Sequence, residues 1–158
     1  YPLVVLALST GARRGELLGL TWGDIDFKRK VAILHKTKNE ERRALPLAGH
    51  ALDCVEKLSE IRRIDTNLLF PGETGKKPVE IRPAWEKVLK EAGLNDFRFH
   101  DLRHSAASYL AMSGASLAEI AEVLGHKTLQ MVKRYSHLSE QHTASVVSKM
   151  NEKIFGGG

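Results

Sequence analysis

Four short stretches carry side chains able to act on a charged substrate: TGARRGELLGL, HKTKNEERRALPL, FHDLRH and LGHKTLQMVKRYSHL. In the first, Arg13 and Glu16 lie three residues apart, a spacing that puts both on one face of a helix. Such a pair is either a plain surface ion pair or an arginine aimed by a carboxylate at an anion. In the second, Lys38 tips a turn and Lys36 competes with it; either ammonium could swing into a site or simply be solvated. In the third, His100 and Arg103 pair a proton carrier with a planar fork matched to phosphate or carboxylate oxygens. His104 follows His100 at metal-ligand spacing, but the H-E-x-x-H glutamate is missing and Cys54, the one cysteine, is far away in sequence. In the last, Tyr135 follows His126 by nine residues. A phenol with a pKa of about 10 attacks poorly at neutral pH unless cations stabilise its anion. Alone, Tyr135 is an ordinary aromatic at a helix end.

Gathered in one pocket, two arginines, two histidines, a lysine and a tyrosine suit a phosphodiester. The arginine forks neutralise the non-bridging oxygens, whose charge grows in the transition state, and the tyrosine attacks phosphorus in line. Histidines carry protons or hydrogen-bond the phosphate, and the lysine protonates the departing oxygen. The product is a phosphotyrosine ester, which stores the cleaved bond for religation without ATP or metal.

The elements that must hold these groups are legible in outline. Residues 1–20 read as two helical pieces broken at Thr10-Gly11. From Asp24 to Leu47, short apolar runs alternate with charge and turn-prone KR and KNEE, which predicts three antiparallel strands with Pro46 at an edge or an end. Beyond His50 the helical period returns. Leu52, Val55, Leu58 and Ile61 predict one helix; Trp85, Val88, Leu89 and Ala92, closed by Gly93, predict a second. Between them, DTNLLFPGETGKKPV is a loop. A third helix is expected from near His100 to near Gly114, and a fourth from the Ser116-x-x-Glu119 capping box to Gly125. Thr128 is placed to cap a short helix leading to Tyr135, and a last helix is expected from about Ser139 to Ile154. The fold class is therefore α+β, a mainly helical single domain with a small three-stranded antiparallel sheet.

A chain of 158 residues, 42% hydrophobic and 27% charged, suits one soluble domain and argues against disorder. Its net charge of +5 favours a polyanionic partner such as nucleic acid, although such an excess is also common as plain solvated surface. A single cysteine forms no intrachain disulfide, which fits a reducing compartment, and no apolar run is long enough to span a bilayer. Because YPLVVLALS begins inside an apolar helical pattern, the chain reads as a fragment.

The ordered series TGARRGELLGLTWGDID, TKNEERRALPL, HDLRH and LGHKTLQMVKRY resembles the catalytic domain of the tyrosine recombinases, the phage-integrase family, from Thr10 to Tyr135. The resemblance implies a catalytic set of Arg13, Lys38, His100, Arg103, His126 and Tyr135, supported by Glu16, with Lys36 still competing for the lysine role. It further implies that strands of double-stranded DNA are cut to a 3′-phosphotyrosine and a free 5′-hydroxyl, with no cofactor or metal. Strand exchange would pass through a Holliday junction in a homotetramer on synapsed DNA, the isolated fragment being monomeric and cytoplasmic. On that reading residues 1–158 are the catalytic domain, an N-terminal DNA-binding domain is missing, and 139–158 form a C-terminal helix and tail that docks in cis or in trans. Lys36, Lys28, Arg29 and Lys127 are expected to touch DNA phosphates. Two alternatives stay open: a type IB topoisomerase-like enzyme, and a non-catalytic DNA-binding relative. A metal-dependent phosphohydrolase built on the histidines is a distant third.

Overall fold

The computed structural model describes residues 1–35 and 42–156, the side chains of 139–141 excepted. The chain divides into two compact units, Tyr1–His104 and Ser105–Gly158.

In the first unit, α1 (Pro2–Thr10) places Pro2 in the first turn, where a missing N–H breaks no helical bond. The Thr10 hydroxyl ends the helix by donating to the Leu6 carbonyl at 2.6 Å and accepting the Ala12 N–H at 3.2 Å. A side chain thus replaces the next backbone bond, and the break expected at Thr10-Gly11 is present. The chain then restarts as α2 (Arg14–Leu18). Three strands follow, β1 (Ile25–Asp26), β2 (Val31–Leu34) and β3 (Arg43–Pro46), antiparallel in the order β1-β2-β3. Ala32 faces Ile25 on one side and Leu45 on the other, so three buried side chains line up across the sheet. Pro46 sits in the edge strand, where the ladder tolerates its missing donor.

Two amphipathic helices cover this framework: α3 (His50–Glu60) and α4 (Arg82–Glu91). Leu52 and Val55 are buried as their spacing predicts. Ile61, expected to extend that face, falls one residue past the helix end and is 76% exposed. The core joins Leu6, Leu17, Leu20, Leu45 and Val55, with Trp85 packed against it. Each fully buried leucine contributes roughly 1.5–3 kcal/mol of transfer free energy. α5 (Asp101–Met112) begins in this unit, and Leu102 joins the same core.

The second unit takes the rest of α5, then α6 (Leu117–Leu124), two 3₁₀ turns (Leu129–Met131 and Lys133–Ser139) and α7 (Glu140–Phe155). The expected capping box closes α6: Glu119 N–H donates to the Ser116 hydroxyl at 3.2 Å, and Ser116 N–H donates to the Glu119 carboxylate at 2.7 Å. Thr128 does stand at the head of the next turn, but its side chain makes no capping bond there, and the turn is 3₁₀ rather than α. Ala107, Ala111, Ile120, Leu124, Val132 and Tyr135 form this unit's core. Gly114, at φ 89, follows α5 where the His142 imidazole of α7 occupies the space a side chain would need. On α7, Val146, Val147, Met150 and Ile154 stay between 47% and 59% exposed, so their apolar stripe is only half covered within the chain. Among the described residues, no helix is long and apolar enough to cross a membrane.

Candidate active site

Arg13 reaches its partner by a different route from the one its spacing suggests. It is not on the helix but caps it, in extended backbone at φ −71 and ψ 148. Glu16, in the first turn of α2, folds back so that its carboxylate accepts the Arg13 backbone N–H at 2.8 Å and the Arg13 Nη1 at 2.8 Å. The same three-residue spacing therefore serves a helix cap instead of a helix face. Backbone and guanidinium are held by one carboxylate, which fixes the arginine's direction. The Arg13 side chain stays 27% exposed while Glu16 is 8% exposed, so the cation faces outward from a buried anion.

A second arginine grips the same carboxylate: Arg43 Nη2 lies 2.9 Å from Glu16 Oε2. Arg43 opens β3, and its side chain is 12% exposed. Burial pulls its pKa down and the charge of Glu16 pulls it back up. The motifs do not single this residue out. Its signal in the sequence is strand alternation, which puts Arg43 on the same side of β3 as buried Leu45.

Arg103, 4% exposed, sits in the first turn of α5 and donates from Nη1 to the Gly11 carbonyl at 2.7 Å. That carbonyl belongs to the turn that leads into Arg13, so the two arginines are anchored to one short stretch of backbone. His100 stands just before α5 and its carbonyl accepts the Arg103 N–H at 3.1 Å. Its ring meets His104 edge-on, with centroids 5.6 Å apart. Partial burial, then the positive charges of His104 and Arg103, push the His100 pKa below the ordinary histidine value, with Asp101 opposing them. His100 is therefore held toward its neutral form, able to accept a proton. Among the described residues, no group of three or more His, Cys, Asp or Glu is arranged to hold a metal.

In the second unit, α6 stops at Gly125 in the left-handed conformation, φ 64 and ψ 47. The next N–H, that of His126, returns to the Ala121 carbonyl at 2.8 Å, which turns the chain sharply and leaves the histidine half-buried. Tyr135 is 6% exposed within the second core, and the Arg134 guanidinium lies 5.9 Å from its ring centroid. Arg134 is thus a direct neighbour of the phenol ring.

Of the expected catalytic residues, Arg13, His100 and Arg103 belong to the first unit, His126 and Tyr135 to the second. Lys36 and Lys38 lie outside the described residues. β2 ends at Leu34, and the next residue, His35, holds its ring 3.1 Å from Asp24. Lys28 and Arg29 are exposed at the turn between β1 and β2, where Asp26 accepts the Arg29 N–H at 2.8 Å; Lys127 is exposed beside His126.

The phage integrase family matches residues 1–142. The chain is 33% identical to the integrase of Salmonella phage P22, over 98% of this chain and 43% of that protein. The catalytic domain of bacteriophage HP1 integrase superposes with a TM-score of 0.68 at 26% identity, covering 99% of this chain and 84% of that one. XerH site-specific recombinase bound to palindromic difH substrate superposes with a TM-score of 0.74 at 25% identity, over 93% of this chain and 44% of the other. The chain spans less than half the length of the first curated relatives it matches.

Proposed function

Since the chain belongs to the phage integrase family, we propose that it is the DNA-cleaving part of a site-specific tyrosine recombinase acting in the cytoplasm. Its substrate is double-stranded DNA, as the matched XerH complex with its difH substrate suggests by likeness. The observation that carries the reading is the pair of arginines anchored at one turn, Arg13 by Glu16 and Arg103 by the Gly11 carbonyl. Two fixed guanidinium forks on one backbone stretch suit the two non-bridging oxygens of a single phosphodiester.

In the proposed reaction, the Tyr135 phenolic oxygen forms a bond to phosphorus as the bond from phosphorus to the 5′ oxygen breaks. The phenolic proton passes to a neutral histidine, His100 or His126, and Lys38 protonates the departing 5′ oxygen. Arg13 and Arg103 offset the charge that builds on the phosphoryl oxygens. Reversal with an incoming 5′-hydroxyl rejoins a strand, so the ester conserves the energy of the bond and no ATP is consumed. A homotetramer on paired sites would carry out the exchange.

The test is a pool of nicked duplexes with a randomised core, incubated in EDTA with the intact protein that contains this chain. The wild-type protein is expected to form a covalent adduct that survives denaturation, and Tyr135→Phe to form none. An adduct that persists in Tyr135→Phe would remove the tyrosine assignment. DNA binding without any wild-type adduct would favour a non-catalytic relative.

A further inference from the structure

Glu16 is the hub of a cluster that the family reading leaves half explained. Its Oε1 takes Arg13 Nη1 at 2.8 Å, and its Oε2 takes both the Arg13 N–H at 2.8 Å and Arg43 Nη2 at 2.9 Å. One carboxylate bound to one arginine would form a neutral pair, and Arg13 would meet a phosphate with its charge largely spent on Glu16. A second guanidinium changes that balance. Two cations on one anion leave a net positive charge, and Arg13 is the more exposed of the two at 27% against 12%. Nη1 is the Arg13 side-chain donor that meets Glu16.

We infer that Arg43 is a positioning residue for strand cleavage, locking the Glu16 carboxylate so that Arg13 keeps both its direction and its charge for the scissile phosphate. The inference rests on the reading that Arg13 acts on that phosphate. Two observations support it beyond the contact itself. Its backbone is fixed, since Arg43 pairs with Leu34 across β2. Glu16 and Arg43 are both well buried, where a charge-assisted bond is screened less than at the surface.

The experiment is a double-mutant cycle in the intact protein, reading single-turnover adduct formation. The probe is the same randomised pool with sulfur in place of the 5′ bridging oxygen, a better leaving group that keeps slow variants measurable. Arg43→Gln is expected to slow adduct formation about 10- to 100-fold, the scale of a misaimed catalytic group, with affinity for the pool unchanged. In an Arg13→Ala background the same substitution should change the rate by no more than about two-fold, because its target is gone. Arg43→Lys, which keeps the charge but one donor direction only, should recover part of the loss. If Arg43→Gln fails to fold, judged by its melting curve, Arg43→Lys takes its place in the cycle. Losses that multiply independently with Arg13→Ala, or an Arg43 substitution without effect on rate, would overturn the inference. No loss in Arg13→Ala itself would instead remove the catalytic reading on which it stands.

Discussion

At the scale of single residues, His100 carries a pH dependence whose sign follows from its surroundings. Desolvation and the charges of His104, Arg103 and Arg98 disfavour its protonated form, and Asp101 alone opposes them. The unfolded chain therefore binds the proton more readily than the folded one. The contribution of neutral His100 is present above the unfolded histidine value and is lost as pH falls below it. Wild-type protein should lose more melting temperature than His100→Gln between about pH 8 and about pH 5, a difference that a buffer series of thermal melts would read. Parallel curves for the two proteins would count against this account. Residue types and spacings mark His100, Arg103 and the Arg13–Glu16 pair as candidates in the sequence, and the resemblance to the tyrosine recombinases is what selects them. The mode of the last pair is not legible there, because a three-residue interval suits a cap as well as a helix face. Arg43 is hidden for another reason: its partner Glu16 lies 27 residues earlier, and only the return of β3 brings them together.

At the scale of elements, the readable signals are the local ones. The Ser116–Glu119 box and the Gly125 stop depend on neighbours within one turn, so sequence order contains them. Gly125→Ala should cost about 1–2 kcal/mol, since a side chain in the left-handed region clashes with its own carbonyl. Urea unfolding would show it as a lower midpoint at unchanged slope; an unchanged midpoint would mean that the turn after α6 can refold around alanine. The stretch from Leu129 to Ser139 is harder to read. Too short to hold an α-helix by itself, it takes the backbone its packing demands. Val132, Tyr135 and Leu138, all packed in the second core, recur every three residues. That is the period of a 3₁₀ turn, where side chains three apart align on one side. Thr128 has the right residue type for a cap, but the tighter turn leaves its hydroxyl without that role.

For the whole molecule, the proposed function assigns the net charge of +5 and the exposed cations at Lys28, Arg29 and Lys127 to binding more than to cleavage. The logarithm of the DNA association constant should fall linearly with the logarithm of salt concentration, and reversing the charge at Lys28 and Arg29 should flatten that line. An unchanged slope in filter-binding titrations would place those two side chains away from the phosphates. The order of elements is legible across the molecule because glycine, proline and apolar period punctuate it. The grouping of side chains is not, since it depends on which distant backbone atoms come within hydrogen-bond reach. Gly114 shows how much can rest on a missing atom. Its Cβ would stand 2.5 Å from the His142 ring, so the root of α7 is seated in a socket one methyl group deep. Filling that socket, as Gly114→Ala would, drives a wedge against α7.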